Sequence, residues 1–428
     1  MAEREVIGVS DRVSVGKAIP LGIQHMMSMF GSTVLVPMLT GLHPSAAIMC
    51  SGIGTVCYLL MTKNKIPSYL GSSFAFISPI IAVGATQGTA AALSGVVVAG
   101  LVFLAVAGII KLIGTGWIDR VLPPVLIASI IIVIGVGLSA TAVNMALTGS
   151  TGEFNGIATL VAGITLFAAV IFSSMKGLIG TIPVLLAIIV GYIVAAFCGL
   201  VDLAPVAEAA WIGLPHLQFP EFDPVAIALI APVALVVVIE HIGHLLVVSE
   251  VVGEDFVPML PRSLAGDGIA TCIAGFLGSP PATTYAENIG VMSVTRVYST
   301  QVFWYAAGFA FIVGGFCPKL EALIMSIPTP VMGGVSLLLF GLIASNGLRM
   351  LVTNNIDFGE NRNLMIAAVV IILGVGMECG GFSLPLGDYT IPGMALSAIV
   401  GIIMNLVLPA APGHPKDDEK PAVYIEER

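Results

Sequence analysis

Long apolar stretches, separated by short polar or glycine-rich segments, are the dominant pattern of this chain. Between Lys17 and Lys63 there is no Asp, Glu, Lys or Arg, and a break at residues 41–44 divides this stretch in two. The next stretch, residues 66–110, divides near residues 87–88. Because about 20 apolar residues in a helix cross the hydrocarbon core of a bilayer, the pattern over the whole chain predicts roughly fourteen transmembrane spans.

Two of these spans contain helix breakers. Gly71 and Pro79 interrupt the third span, and Pro280 and Pro281 interrupt the tenth, with Glu287 beyond them. Non-helical backbone is tolerated at membrane depth only where protein or a water-filled cavity covers it. We therefore expect each of these spans to combine a short extended segment with a half-helix.

The composition agrees with a membrane protein. Hydrophobic residues make up 57% of the 428 residues and charged residues only 10%, whereas a soluble domain carries about 25% charged residues. The net charge of −9, with no dense basic stretch, argues against nucleic acid as a partner. The six cysteines form no CxxC pair and no disulfide framework, so we interpret them as small core residues.

The distribution of Lys and Arg predicts the orientation of the chain. Cytoplasmic loops collect these residues, and with the N-terminus inside, every Lys and Arg except Lys319 falls in a cytoplasmic segment. Omitting either broken span alone would reverse all later loops. We therefore expect a multi-pass protein of the inner membrane with both termini in the cytoplasm.

Two short matches suggest an internal repeat. Residues 70–72 and 277–279 both read Leu-Gly-Ser, and Pro-Val occurs at residues 124–125 and again at residues 330–331. Their offsets of 207 and 206 residues fit seven spans followed by seven more. Seven is odd, so the second copy is inverted in the membrane. Inverted repeats with paired broken spans indicate a transporter site near the bilayer midplane.

Few ionisable side chains occur within the predicted spans, and each is a functional candidate because insertion costs it at least about 2.5 kcal/mol. Glu240, His241 and His244 follow an apolar run in the eighth span, and Glu287 lies in the broken tenth. On a helix, Glu240 and His244 share one face, while His241 is turned about 100° away. We therefore predict Glu240 and His244 as the functional pair; the alternative is a structural ion pair.

The two interrupted spans also predict a polar pocket. Residues 279–290 combine prolines with hydroxyls, an amide and a carboxylate, and residues 71–79 combine a glycine and a proline with serines. Half-helices starting there would present unpaired backbone N–H groups to a ligand. Phe74 and Tyr285 could cover an aromatic ring, although packing alone also explains Phe74.

Residues 287–296 closely resemble the signature of the nucleobase/ascorbate transporter family. In that signature an acid or Gln precedes Asn-x-Gly, and Thr-Arg, Thr-Lys or Thr-Gly closes the motif. The segments that also resemble the family are Gln24-His25, residues 72–79, residues 240–244, residues 297–300 and residues 330–339. The resemblance covers the chain up to about Pro412.

The resemblance implies an all-α polytopic fold of fourteen transmembrane spans in two inverted seven-span repeats, with spans 3 and 10 broken by short extended segments. It also implies a core domain of spans 1–4 and 8–11, and a gate domain of spans 5–7 and 12–14 that forms a homodimer. The implied boundaries are a cytoplasmic N-terminus at 1–17, core segments at 18–117 and 222–318, gate segments at 118–200 and 327–410, and a cytoplasmic tail at 411–428.

The activity implied by the resemblance is proton-coupled symport of uracil by alternating access, with the proton as coupling ion and no cofactor. The implied substrate-binding residues are Ser73, Phe74, Glu240, Tyr285, Ala286 and Glu287. Glu240 and His244 are implied in proton coupling, and the residues implied in support of the pocket are Gln24, His25, Ser32, Asn288 and Phe340. The chain departs from the expected family pattern at Ser32, Ala286 and Phe340. The missing hydroxyl at Phe340 affects fine selectivity more than substrate class.

Two alternatives remain open at this stage. A xanthine or uric acid permease of the same family would more often carry Gln at position 287 and lack Arg at position 296. An intramembrane metalloenzyme is a weaker alternative, because the zinc motif places two histidines at i and i+4 with Glu between them. Here His241 and His244 are i and i+3, and Glu240 precedes both.

Overall fold

The computed structural model describes residues 6–114, 116–149, 152–177, 179–386 and 389–409, and this part of the chain is predominantly helical. The helices up to residue 208 are α1 (Val15–Ser28), α2 (Phe30–Thr40), α3 (Pro44–Met61), α4 (Ile77–Gln87), α5 (Thr89–Ile113), α6 (Gly116–Val121), α7 (Pro124–Gly137), α8 (Ser139–Thr148), α9 (Gly156–Ser174), α10 (Pro183–Phe197) and α11 (Ala204–Glu208). The later helices are α12 (Pro224–Ile230), α13 (Val233–Val252), α14 (Leu260–Leu277), α15 (Ala286–Thr295), α16 (Thr300–Phe309), α17 (Pro318–Met325), α18 (Thr329–Thr353), α19 (Asn361–Gly380) and α20 (Gly393–Val407). The predicted cytoplasmic tail, residues 411–428, lies outside the described residues.

Many of these helices are long and apolar enough to cross a membrane. Among the described residues eight helical segments meet this test, and a ninth does if the pair Thr300–Gly314 and Pro318–Met325, bent by 82°, forms one span. Three shorter apolar helices cover Phe74–Gln87, Pro183–Phe197 and Gly393–Val407. The chain is a predominantly helical membrane protein, as its sequence predicted.

The helix boundaries at two predicted breaks are confirmed. Helix α2 ends before Gly41, whose φ of 74° is the left-handed conformation that favours glycine, and Pro44 begins α3. Helix α4 ends at Gln87, followed by Gly88 with a φ of 89°. Glycine and proline act here as helix stop and start signals, because glycine tolerates a positive φ and proline fits the first helical turn.

The two interrupted spans pair with each other through short strands. Strand β1 (Leu70–Ser72) is antiparallel to β2 (Ala282–Thr284), with Leu70 opposite Thr284 and Ser72 opposite Ala282. A 3₁₀ turn at Phe74–Phe76 and α4 follow β1, and α15 follows β2 after Tyr285. The extended segments predicted in these spans are therefore present. They bond to each other and also to side chains of neighbouring helices: the Leu70 N–H donates to Thr55 and the Ala282 N–H to Thr271.

The structure corrects one part of the repeat argument. Residues 277–279 do not form a strand equivalent to residues 70–72, because they are the end of α14, where Gly278 adopts a φ of 87°. Strand β2 begins only at Ala282. The shared Leu-Gly-Ser letters therefore mark different local structures: the second copy ends a helix, and the first forms a strand.

The chain divides into two compact units. The first unit comprises Met1–Ala107 and Thr141–Leu338. Within it, early helices pack closely on late ones through glycines: a Cβ on Gly22 of α1 would lie 2.8 Å from the Ala306 backbone nitrogen of α16. A Cβ on Gly52 of α3 would lie 2.6 Å from the Ala307 carbonyl oxygen. Small residues at helix contacts let the two backbones approach in this way.

The second unit comprises Gly108–Ala140 and Leu339–Arg428. Its described part contains α7, α19, α20 and the antiparallel pair β3 (Ser383–Leu386) and β4 (Tyr389–Pro392). The Asn405 side-chain amide donates to the Arg120 carbonyl at 2.8 Å, and Arg362 donates to the Asn405 carbonyl at 2.7 Å. These bonds join the segments at both ends of the unit's sequence.

Candidate functional site

Helix α13 carries three of the ionisable residues singled out from the sequence. It runs without interruption from Val233 to Val252 and ends at Gly253, which has a φ of 80°. Glu240 and His244 are therefore one helical turn apart on the same helix, in agreement with the predicted spacing. His241 is 1% exposed, which fits its placement on a different face.

His241 is the centre of a buried hydrogen-bond network. Its Nδ1 lies 2.8 Å from Asp267 Oδ2, and its Nε2 lies 2.8 Å from Ser263 Oγ. Thr283 donates to the same Asp267 oxygen at 3.1 Å, and Tyr58 shares a 2.6 Å hydrogen bond with Ser263. Helices α3, α13 and α14 are thus joined to β2 by polar contacts inside the first unit.

Thr284 connects His244 to this network. Its hydroxyl lies 3.3 Å from His244 Nδ1 and 3.3 Å from His241 Nδ1. A series of hydrogen-bonded groups therefore runs from His244 through Thr284 and His241 to Asp267. Such a series can relay a proton between side chains that do not touch directly.

Glu240 and Glu287 border an open region rather than packed protein. Glu287 and Ala286 are exposed, and Glu240 and His244 are half-buried. The Glu240 carboxylate interacts electrostatically with Glu287 and with Asp267. A Cβ added to Gly243 or Gly290, on the same two helices, would meet nothing within 4 Å. The two carboxylates can therefore reach a ligand from α13 and α15.

The aromatic pair predicted to cover a ligand is assembled where the two broken spans meet. The Phe74 and Tyr285 rings lie 6.0 Å apart at 71°, and the Tyr285 hydroxyl donates to the Ser72 carbonyl. The Ser73 N–H donates to the Pro281 carbonyl at 2.9 Å. The buried Ser73 hydroxyl has no hydrogen-bond partner among the described residues, so a polar atom of a ligand would satisfy it.

The predicted supporting residues occupy three different positions. His25 bonds through Nδ1 to the Asn288 side-chain oxygen, which ties α1 to α15. Gln24 donates to Thr181 at 2.9 Å. Ser32 donates to the Met29 carbonyl at 3.0 Å.

The last supporting candidate, Phe340, is a residue of α18. Phe340 belongs to the second unit, where it is buried within α18. The other eleven predicted site residues all belong to the first unit.

Sequence reasoning missed Asp267. It lies in α14 between two glycines and is 0% exposed, and its second oxygen, Oδ1, has no partner within the described part of the chain. The insertion cost that singled out Glu240 applies equally to this residue, since it lies near the middle of the predicted ninth span. That signal was available in the sequence.

The end of the family-like motif has a structural explanation. Helix α15 ends at Thr295, and Arg296 adopts a φ of 55°. The backbone N–H of Ile7 donates to the Arg296 carbonyl at 3.0 Å, and Tyr298 donates to the Ile7 carbonyl at 2.9 Å. The segment before α1 therefore stabilises the turn that follows α15 at the end of the motif.

Comparison with known proteins agrees with the motif. A family model described as Permease family matches residues 16–380. The uracil permease of Bacillus caldolyticus is 51% identical over 419 residues, which cover 96% of each chain. The uracil permease of Bacillus subtilis (strain 168) is 48% identical, covering 96% of this chain and 97% of that one.

A solved structure shares the fold at low sequence identity. The transmembrane domain of a cyanobacterial bicarbonate transporter, BicA, is similar with a TM-score of 0.61 at 16% identity, covering 94% of this chain and 100% of that chain. At this identity the similarity shows the fold alone.

Proposed function

We propose, from the premise that the chain belongs to the nucleobase/ascorbate transporter family of permeases, that it carries uracil across the membrane. The observation that carries this proposal is the 51% identity to a uracil permease over 96% of both chains. The relatives are permeases, and the chain is a transporter rather than an enzyme.

The chemistry of the site fits uracil. The uracil ring has two N–H donors and two carbonyl acceptors, so it needs both acceptors and donors around a planar slot. Glu240 and Glu287 supply carboxylate acceptors from α13 and α15. Backbone N–H groups at the start of α15 and the Ser73 hydroxyl supply donors, and Phe74 and Tyr285 supply ring faces.

We propose that the coupling ion is a proton and that the protein needs no cofactor. Glu240 stands at the open region, and the hydrogen-bonded series from His244 to Asp267 begins one turn away on the same helix. A positioned acid and histidine can take up and release a proton in a transport cycle. Glu240 and His244 would then couple proton movement to transport, which is the role that the family resemblance implied.

The topology that we propose has fourteen spans in the inner membrane, with both termini in the cytoplasm. The eight helical segments that meet the length and hydropathy test, the bent pair and the three shorter apolar helices make twelve, and α14 and α15 would complete the count. The order of elements supports two repeats: Pro124–Thr148 and Thr329–Thr353 are both 25 residues long, and a strand followed by a half-helix occurs in each half.

The movement that we propose is that of a core against a gate, with the boundaries that the family resemblance implies and a homodimer formed through the gate. The three carboxylates of the site lie in α13, α14 and α15, inside the proposed core. A site carried by one body can be exposed to each side of the membrane in turn.

The metalloenzyme alternative lacks the ligands that it would require. Both ring nitrogens of His241 are hydrogen-bonded, one to Asp267 and one to Ser263. His241 therefore has no nitrogen left for a metal ion next to His244. A xanthine or uric acid permease would keep the same fold, and Glu287 with Arg296 favours uracil over it.

Transport assays on purified protein in proteoliposomes test the proposal. An inward proton gradient should drive accumulation of labelled uracil, and excess unlabelled uracil should abolish it while xanthine and uric acid should not. A sodium gradient at fixed pH should leave the vesicles empty. Filling by sodium alone would contradict the proton coupling, and stronger competition by xanthine would contradict the substrate.

A further inference from the structure

A second cluster of chemically active side chains lies outside the candidate transport site. It consists of His43, Glu321 and His216, and their ligand atoms all lie within 4.8 Å of one another. His43 Nδ1 is 3.1 Å from one Glu321 oxygen, and His216 Nδ1 is 2.8 Å from the other. The two imidazole rings are stacked, with centroids 4.9 Å apart and planes at 24°.

The three residues come from separate parts of the first unit. His43 immediately precedes α3, His216 lies in the connection between α11 and α12, and Glu321 is in the first turn of α17. In the proposed topology these positions follow spans 1, 7 and 11. All three spans are odd-numbered, so the loops after them share the outer side of the membrane.

The burial of the cluster is uneven. The Glu321 side chain is only 8% exposed, whereas those of His43 and His216 are 46% and 64% exposed. The nearest basic residue in sequence, Lys319, is bound elsewhere: its ammonium donates to the Val206 carbonyl at 2.9 Å and lies over the Trp211 ring. The nearly buried Glu321 carboxylate thus contacts two imidazole nitrogens, and its described ion pairs include no Lys or Arg. A buried carboxylate without a basic partner favours a bound cation.

We propose that His43, His216 and Glu321 bind a divalent transition-metal ion of the Zn²⁺ class. Two imidazole nitrogens and one carboxylate oxygen are donors that Zn²⁺ takes in proteins, with a fourth position left for water. Mg²⁺ and Ca²⁺ prefer sites built from oxygen atoms alone. The site would fasten the α11–α12 connection to the starts of α3 and α17.

The observed geometry is close to what the ion requires. Bonds of about 2.0–2.1 Å in a tetrahedron place ligand atoms roughly 3.4 Å apart. The distances of 2.8 Å and 3.1 Å run from the two imidazoles to different Glu321 oxygens and must widen by a few tenths of an ångström, while the remaining separations, all within 4.8 Å, must adjust to the same spacing. Two of the three ligands are exposed side chains at helix ends or in a connection, so they can make this adjustment without repacking a core.

Direct binding of ZnCl₂ to the purified full-length chain tests the proposal. The protein should carry a purification tag without histidines, be stripped with a chelator, and be titrated by calorimetry in detergent. We expect one Zn²⁺ per chain at micromolar concentrations or tighter. X-ray absorption at the zinc edge should show nitrogen and oxygen ligands at about 2.0–2.1 Å.

Variants separate this site from other zinc ligands of the chain. The double substitution His43→Gln and His216→Gln should abolish binding, and Glu321→Gln should weaken it at least ~10-fold. His414→Gln, in the tail, is the matched control and should bind like wild type. Uracil uptake in chelator-treated vesicles should be the same in all variants, which shows that they are folded.

Three results would overturn the proposal. The first is a wild-type chain that takes up no zinc at these concentrations. The second is a double variant that binds zinc as tightly as wild type. The third is sulfur scattering at about 2.3 Å in the zinc spectrum, which would assign the ion to cysteine.

Discussion

The early and late parts of the first unit build the candidate site from similar backbone elements but from different side chains. Each part contributes a short strand followed by a half-helix, and the two strands pair directly. However, residues 12–118 contain no Asp or Glu at all. Every carboxylate of the site, namely Glu240, Asp267 and Glu287, comes from the late part.

Two repeats can therefore pair through the same backbone elements and still contribute differently to the site. The early part supplies close-packed helices, ring faces and backbone groups, so its contribution is mainly to shape. The late part supplies the charges and the hydrogen-bonded series that ends at Asp267. Substitutions in the late part should therefore change transport chemistry, and steric changes in the early part should mainly change stability.

The largest effect is expected for Asp267→Ala, which removes the acceptor for His241 and Thr283. Each buried donor left unpaired costs about 1–3 kcal/mol, so the loss should be roughly 2–6 kcal/mol of stability. Thermal unfolding in detergent measures this loss of stability. Asp267→Asn keeps a side-chain oxygen of the same shape and should lose less; an alanine variant that unfolds like wild type would show that the network is dispensable.

Glu240→Gln should have the next largest effect, on binding rather than folding. The substitution nearly preserves shape but replaces an acceptor oxygen with a donor, and loss of a charge-assisted hydrogen bond costs roughly 1.5–3 kcal/mol. Uracil affinity should fall about ten-fold to a hundred-fold, and uphill uptake should be lost.

The matched control for this prediction is on the same helix. Glu250 is exposed in α13, and Glu250→Gln should leave both binding and proton-driven uptake unchanged. Wild-type affinity and wild-type accumulation in Glu240→Gln, measured in one preparation, would refute the assignment of Glu240 to the site.

Gly52→Ala tests the structural role of the early part. The new methyl group would lie 2.6 Å from the Ala307 carbonyl oxygen and 2.9 Å from the Phe311 nitrogen, and such overpacking costs about 1–3 kcal/mol. The unfolding temperature should fall while uracil affinity of the folded fraction stays the same. Gly108→Ala lies inside α5 and meets nothing within 4 Å, so it should not lower the unfolding temperature, because alanine favours the helix over glycine. Reduced affinity without reduced stability in Gly52→Ala would contradict the comparison.

Tyr285→Phe should have the smallest effect, because it removes only a neutral hydroxyl, which bonds from the late part to the Ser72 carbonyl and interacts with Ser32 of the early part. The Ser72 carbonyl would lose the Tyr285 hydroxyl, at a cost of about 0.5–1.5 kcal/mol. Tyr305→Phe is the control, since its hydroxyl takes part in none of the described hydrogen bonds. A loss of binding in Tyr285→Phe as severe as that in Glu240→Gln would mean that the hydroxyl contacts the substrate.

The sequence predicted the parts of this structure that depend on local chemistry. Glycines and prolines marked the breaks after α2 and α4 and in the two interrupted spans, because their backbone preferences act wherever they occur. The spacing of Glu240 and His244 followed from helical periodicity.

The contacts between distant segments could not be predicted in this way. The pairing of β1 with β2, the hydrogen bonds from His241 to α14, and the cluster around Glu321 join residues that are far apart in sequence. Three-letter similarity even matched residues 70–72, which form a strand, to residues 277–279 at the end of a helix. Local backbone preferences do not determine which distant group a residue will bond to. These contacts could therefore be identified only from the folded structure.

The pairing of β1 with β2 also means that β1 is synthesised well before its partner strand exists. Leu70 and Thr284 are paired, and 284 − 70 = 214 residues separate them. At about 5–20 residues per second, synthesis of β2 follows that of β1 by roughly 10–40 s. During this interval the groups of residues 70–72 that bond to β2 lack their final partners, although the Leu70 N–H can already donate to Thr55, and lipid cannot supply the missing ones. The nascent third span must therefore stay covered by other protein, or outside the hydrocarbon core, until the late part has been inserted.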